Sequence, residues 1–323
     1  MNNMSYEYHR EEYKGHTIII EQDEDGMNPR TEWDNLGTMV FFHRNYTADK
    51  HDFSDTDDMV AQLSGIHIDD LETKNCTVFE LGKTPQWDWR YKYKGRWITE
   101  EEVTEKQWAE VKKNYVILPV YMYDHSGVTI NTGGFSCGWD SGQVGWIYCE
   151  KKKLLEETGY KKYELFDGDT KRKLKVGDYA KVRRDVMKHY FSNCKLDFED
   201  GEMGKVVKVH HPKSLAPLYD VDFDYNNPTK KDRRVVTCIG SAVIPLTNMG
   251  EEILKGEVQT FDDYLQGNVF GYVVEKDGEE IDSCWGFYPD HEYHKDDWDY
   301  CLREARSIVD YNVEAANKSH FKQ

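Results

Sequence analysis

The 323-residue sequence contains no apolar run long enough to cross a bilayer. Its longest apolar runs, such as Tyr115 to Tyr123, reach about half of the roughly 20 residues that a membrane helix needs. Met1 to Glu12 likewise lacks the apolar centre of a secretion signal, so a soluble, cytosolic protein is expected. The seven cysteines (Cys76, Cys137, Cys149, Cys194, Cys238, Cys284 and Cys301) are odd in number and show no C-x-x-C spacing. Neither a disulfide framework nor a zinc ribbon is indicated, and reduced, mostly buried thiols are expected. Basic residues are also scarce: 42 Lys+Arg stand against 60 Asp+Glu, a formal charge of -18. Affinity for a phosphate backbone comes from clustered Lys and Arg, so direct nucleic-acid binding is not expected; a basic partner, or simple solubility, fits better. No phosphate-binding loop, G-x-G-x-x-G, H-E-x-x-H or G-x-S-x-G motif occurs.

What the chain does have is core material, 38% apolar and 14% aromatic residues, enough for a main domain and a second module. Charge is distributed unevenly. Between Thr170 and Leu246 there are 16 Lys+Arg against 10 Asp+Glu, the reverse of the balance elsewhere. The same stretch holds "LKVGDYAKVRRDV", "GEMGKVVKVHH", "YDVDFD" and "RRVVTCIGSAVIPL", short alternating runs separated by Gly, Pro and Asn. That is the period-2 pattern of strands joined by turns. The V-G-D opening, the G-x-x-G-x-V-x-x-V second strand and the closing V-I-P-L resemble SH3-like barrels, a likeness of fold that carries no function with it. Residues 170–246 are therefore expected to form an inserted barrel. It would interrupt a main domain made of residues 1–165 and 250–323.

In the main domain, "YKGHTIIIEQ", "LGTMVFFHRNY", "NYVILPVYMYDH" and "QVGWIYCEK" are rich in β-branched and aromatic residues and predict strands. Asp277-Gly278 between two apolar-aromatic runs predicts a tight hairpin. Helices are expected at Asp55 to Leu63 and at Thr99 to Lys113, where Thr99 and Glu102 have capping-box spacing. A last helix near Asp297 would turn Trp298, Leu302, Ala305, Val309 and Asn312 to the core. The expected fold class is α+β: a mostly antiparallel sheet with packed helices, interrupted by a small all-β barrel.

Four sets of residues are candidates for chemistry. The segment "EQDEDGMNPRTE" approaches a calcium loop, with Glu21, Asp23 and Asp25 at alternate positions, Gly26 at the turn and Glu32 closing it. A divalent cation, Ca or Mg, is the cofactor this would hold; the competing reading is a solvated acidic turn after a strand. Cys137, His125 and Asp124, with His43 as a second base and Gln143 as an oxyanion donor, supply the residue types of thiol-based acyl transfer. Against that, Asp124 and His125 are adjacent and would face opposite sides of a strand. Cys137 is then a small buried hydrophobe, with Trp139 and Trp146 filling the core. His291 and His294 are three apart and, with Asp290 or Cys284, could complete a metal set. His210 and His211 are a further pair, in an expected barrel loop. Finally, "QWDWRYKYKGRW" alternates aromatics, among them Trp87 and Trp89, with cations. It suits either an interface or a hairpin with one buried aromatic face.

Three blocks, "NPRTEWDNLGTMVFFHR", "YDHSG" with "FSCGWDSGQVGWIY", and "YLQGNVFGYVVEKDGEEIDSCWGFY", resemble a family of tailed-bacteriophage proteins sharing NPR-EWDNLGTMV, WDSGQVG and SCWGFY blocks in that order. Gly138 stands where that family tends to have Pro, and the barrel segment is extra. The resemblance brings no catalytic residue set. It implies a phage accessory protein in the cytoplasm of an infected bacterium, of the kind that binds, and inhibits, a host defence or nucleic-acid-processing complex. The partner surface would include Asp34, Asn35, Arg44, Asp140, Gln143, Trp87 and Trp89. The alternative is an enzyme or small-molecule binder, nucleotide-directed in one version, in which Asp34, Asn35, His43, Arg44, Asp124, His125, Asp140, Gln143 and Asp282 converge.

Overall fold

The computed structural model describes residues 6–78, 86–160, 162, 165, 174, 176–190, 198, 202–210, 217–225, 230, 232–245, 248–291 and 296–320. Within them the fold is α+β, with four antiparallel sheets. In chain order the first strands are β1 (Glu7–Tyr13), β2 (His16–Gln22), β3 (Thr38–Phe41), β4 (Glu72–Val78), β5 (Gln86–Tyr93), β6 (Arg96–Ile98), β7 (Tyr115–Asp124), β8 (Val128–Asn131) and β9 (Ser141–Glu150). Then follow β10 (Tyr179–Val182), β11 (Met203–His210), β12 (Leu218–Asp222), β13 (Val235–Ile239), β14 (Val243–Pro245), β15 (Phe270–Lys276) and β16 (Glu279–Phe287). Contacts divide the chain into two compact units, Met1–Tyr148 with Leu254–Gln323, and Cys149–Ile253.

The first unit is organised by a sheet of order β1-β2-β15-β16, in which β2 pairs with β15 and so ties the two ends of the chain together. Asp277 (φ 54) and Gly278 (φ 82) turn β15 into β16 with the paired positive φ angles their sequence predicts. β1 was not expected, because EYHREEY reads as a polar stretch. It is an edge strand, and charged side chains suit an edge by discouraging further strand pairing. On one face of this sheet Ile18, Ile20, Phe270, Tyr272 and Val274 meet Cys301, Leu302, Ala305 and Val309 of the Asp299–His320 helix. The predicted stripe is therefore the packed one, with Asn312 half-buried and Val313 packing beside it.

A second sheet, β3-β9-β7-β8, buries Val40 against Met59, Val60 and Val111 from the helices Thr56–Ser64 and Glu100–Asn114. Both helices begin where their caps predict. The Asp55 carboxylate accepts from the Asp58 N–H at 2.9 Å, and Thr99 and Glu102 form the complete capping box. The third sheet is β4-β5-β6.

At the centre of this unit lies an ion cluster that the sequence did not announce. The Arg30 side chain, 1% exposed, donates through Nε and Nη2 to both oxygens of Asp49, through Nη1 to Glu257 Oε2 at 2.8 Å, and through Nη2 to the Gly37 carbonyl at 2.8 Å. The carboxylates are themselves satisfied: Glu257 accepts from the Leu36 and Gly37 N–H groups, Asp49 from the Met39 N–H. Burial opposes the charge on Arg30, but the hydrogen bonds to Asp49 and Glu257 outweigh it and raise its pKa.

The second unit contains a curled sheet of order β13-β12-β11-β10-β14. Its first strand lies between its second and its last, and a 3-10 turn, Gly240–Ala242, precedes the last strand; this is the strand order of an SH3-like barrel. Val182, Val206, Tyr219, Val221, Phe223, Cys238 and Ala242 fill it, with Phe198 and Phe223 stacked at 4.7 Å. The "RRDV" end of the first predicted strand is instead the start of the Arg184–Tyr190 helix. The Arg183 N–H still bonds to the Ala242 carbonyl, but the next residues coil so that Met187 drops into the core.

Two outcomes follow for stability. Replacing Arg30 by Met leaves two inward carboxylates without their cation, and denaturant unfolding should show a loss of about 3–5 kcal/mol; a loss below about 1 kcal/mol would show that water reaches the cluster. In the barrel, Lys230 and then Arg234 hold the Asp224 carboxyl well below the usual range. A depressed folded-state pKa gives stability above the unfolded value, lost as pH falls toward the folded one. The difference in stability between wild type and Asp224→Asn should therefore be full near neutrality and shrink steadily below about pH 4.

Candidate functional site

The structure brings together part of the thiol-histidine set. His43 stacks on Tyr46 (ring centroids 5.2 Å apart), and the Tyr46 hydroxyl donates to Asp124 Oδ2 at 3.2 Å. The Asp124 N–H bonds to the Asp140 carbonyl at 3.0 Å. Asp140 Oδ2 then lies 3.5 Å from His125 Nδ1 and 4.0 Å from Cys137 Sγ. The types are right and the order is wrong for nucleophilic catalysis. In an activated pair the histidine touches the thiol and the carboxylate stands behind the histidine. Here the carboxylate contacts both the imidazole and the thiol. Asp124, His125 and Asp140 are also exposed, so nothing excludes water from them.

The neighbouring loop corrects one expectation. Trp139 does not fill the core: it is 97% exposed. The glycine-flanked turn is held locally, by Ser141 Oγ donating to the Cys137 carbonyl and Gln143 Nε2 donating to the Gly145 carbonyl at 3.2 Å, and leaves no element against which an indole could pack. Trp146 does pack, 4.9 Å from Trp108, with its Nε1–H on Thr56 Oγ1 at 3.1 Å. In the β5–β6 hairpin, too, Trp87 (75%) and Trp89 (53%) stand in solvent rather than in a buried aromatic face. Asp34 is exposed, as is Arg44; Asn35 spends its amide on the Pro29 and Trp33 carbonyls, and Asp282 lies in β16 opposite Val274. Those two Asn35 hydrogen bonds are local and do not run to His43, Asp124, His125, Cys137 or Asp140.

The calcium-loop residues occupy different elements. Glu21 ends β2, Asp23 and Asp25 form an Asx turn in which Asp23 Oδ1 accepts from the Asp25 N–H at 3.1 Å, and Glu32 lies in the short Pro29–Glu32 helix. Among the described residues no group of three or more His, Cys, Asp or Glu side chains is placed to hold a metal ion. His294 and His211 fall outside the described residues. His291 bonds to Asp263 Oδ2 at 2.9 Å, and His210 to Asp220 Oδ2 at 2.9 Å, each a local pair.

The acidic turn nevertheless borders a cavity of about 580 Å³, lined by Glu21 to Asp25 together with Met27, Trp285 and Gly286. Its indole wall comes from a register slip. Phe270 pairs with Phe287 but Tyr272 with Cys284, so β16 carries an extra residue opposite Gly271, and Gly286 (φ 87) absorbs the bulge. A Cβ on Gly271 would fall 2.0 Å from the Trp285 ring, so the indole can lie here only over a glycine. Beside it the Tyr288 hydroxyl donates to the Met27 carbonyl at 2.6 Å, and the Tyr288 ring meets Trp33 edge-on at 4.9 Å. Burial, reinforced by Tyr264, Asp23 and Asp263, pushes the Tyr288 phenol well above its ordinary range. Burial also raises the pKa of Asp263, and the His291 hydrogen bond opposes the shift. Residues from the first and third sequence blocks thus meet at one wall, which sequence spacing could not show.

Compared with protein-family models, with curated proteins and with solved structures, the chain matches none.

The wiring at Asp140 has a direct chemical test. Alkylation of Cys137 by iodoacetamide should proceed no faster than that of an ordinary free thiol, and His125→Ala should leave the rate unchanged. A several-fold faster reaction that His125→Ala abolishes would restore the nucleophile.

Proposed function

We propose that this chain is a binding protein whose first unit docks onto a basic protein. The observation that carries the reading is the state of the tryptophans. All nine belong to the Met1–Tyr148 and Leu254–Gln323 unit, and five of them, Trp33, Trp87, Trp89, Trp139 and Trp285, are each at least 41% exposed. Single exposed apolar residues are normal, but indoles are the side chains that anchor interfaces when a partner covers them. The unit that carries them has 42 Asp+Glu against 21 Lys+Arg, whereas residues 149–253 have 18 against 21. An acidic surface speeds encounter with a basic one and rejects acidic competitors, and the indoles then supply the lasting contact.

In the setting that the sequence resemblance implies, the cytoplasm of a phage-infected bacterium, the partner is a host protein with a basic cleft. A nucleic-acid-processing or defence complex has such a cleft, and occupying it inhibits the enzyme. The barrel adds a further contact module. A second reading, chemistry at the His43–Asp140 rim, is favoured by the meeting of His43, Asp124, His125, Cys137 and Asp140, and opposed by the carboxylate that separates thiol from imidazole.

A tagged copy recovered from infected cells at low salt should carry a basic host protein in fixed proportion. Raising the ionic strength toward 1 M, where the Debye length is about 3 Å, should release it. Trp139→Ala should weaken the complex about tenfold or more in a folded chain. Recovery of the chain alone, or of a complex indifferent to salt, overturns the reading.

A further inference from the structure

We propose that the cavity beside Trp285 is a receptor for an organic cation, an ammonium or guanidinium group on an aliphatic stem. The inference rests on the binding reading above for the setting in which such a cation is met, and on the cavity itself for the chemistry.

A volume of about 580 Å³ is that of a small-ligand site and far exceeds what an ordered water or a bare ion needs. Its most distinctive wall is an indole that the protein goes to some length to place: a β-bulge, a left-handed Gly286 and the missing side chain of Gly271 are all required to lay Trp285 there. A π face attracts a large, weakly hydrated cation within about 6 Å and offers nothing to an anion. The same lining carries Glu21, Asp23, Glu24 and Asp25. Among the described residues no Lys, Arg or His lies within salt-bridge distance of any of the four, whereas elsewhere in the unit carboxylates such as Glu7, Glu11, Asp49 and Asp310 have found a cation. Met27, 57% exposed, adds a pliable apolar edge suited to a methylene stem. The carboxylates set the sign of the ligand's charge, and the indole and methionine set its organic character. A divalent metal would use only the former, and the described side chains do not converge as metal ligands.

The cation has two sources, a free polyamine or a basic side chain on a partner, and purified components separate them. The full chain is titrated calorimetrically with spermidine, with a capped arginine-containing peptide and with calcium chloride. Binding of spermidine, the peptide or both with a Kd below about 1 mM is expected. Trp285→Leu, which keeps apolar bulk without the π face, should weaken it about fivefold, and Asp25→Asn, on an exposed turn, should weaken it as well. Tyr311→Ala, at an exposed position of the last helix, should leave it unchanged. Spermidine alone identifies a polyamine site, the peptide alone a side-chain receptor, and both together a general organic-cation site. Binding of calcium only, no binding, or binding that neither Trp285→Leu nor Asp25→Asn weakens overturns the proposal. If Trp285→Leu does not fold, Asp25→Asn decides. Because no host protein enters this titration, its failure leaves the Trp139-dependent complex standing, and loss of that complex leaves this result standing.

Discussion

A guanidinium sealed away from water is the constraint around which the first unit is arranged. Arg30 stays charged at 1% exposure because Nε, Nη1 and Nη2 each donate to an acceptor, Nη2 to two. Those acceptors come from the two flanks of β3, Asp49 after it and the Gly37 carbonyl before it, and from Glu257 on the distant Met249–Gln266 helix. Each carboxylate then reaches on to backbone N–H groups at the start of β3. The cluster fixes the position of one strand and one helix at once. Apolar packing of similar volume would hold the same elements, but without dictating one orientation, because dispersion has no direction and a planar five-donor fork does.

How much of this was legible depended on whether the determinants were local. Helix starts at Asp55 and Thr99 and the turn at Asp277-Gly278 were readable, because a cap or a tight turn is decided within four residues. The stripe of the last helix was readable because its period is intrinsic. β1 was missed because an edge strand carries the charges that a loop would carry. Arg30 was missed because nothing beside it in sequence marks it as buried; Glu257, its partner, sits among helix acids that look like any solvated face. Trp139 was misplaced for the converse reason. Hydrophobicity says that an indole prefers cover, but only the tertiary structure says whether cover exists.

The candidate site divides in the same way. Asp124, His125, Cys137 and Asp140 lie close in sequence, and their meeting was foreseeable; which of them would touch the sulfur was not, because that depends on turn geometry. The Trp285 cavity joins residues of β2, the turn after it and β16, and only the register slip in the β15–β16 pair reveals it. The acidic stretch that resembles a calcium loop has an indole for a neighbour, and no pattern within the stretch itself points to it.

The pairing of β2 with β15 has a consequence in time. Ile18, Ile19 and Ile20 leave the ribosome well before the strand that will cover them on one side, which begins at Phe270. Throughout synthesis of the intervening chain, including all of residues 149–253, that β-branched triplet remains without its partner, since domains form largely as they emerge and long-range pairings close last. The nascent chain therefore carries a sticky segment through the whole of that interval. Pausing, chaperone capture or a faster-closing β1 hairpin governs how much of it reaches the native state, and the charged residues of β1 are well placed to shield the wait.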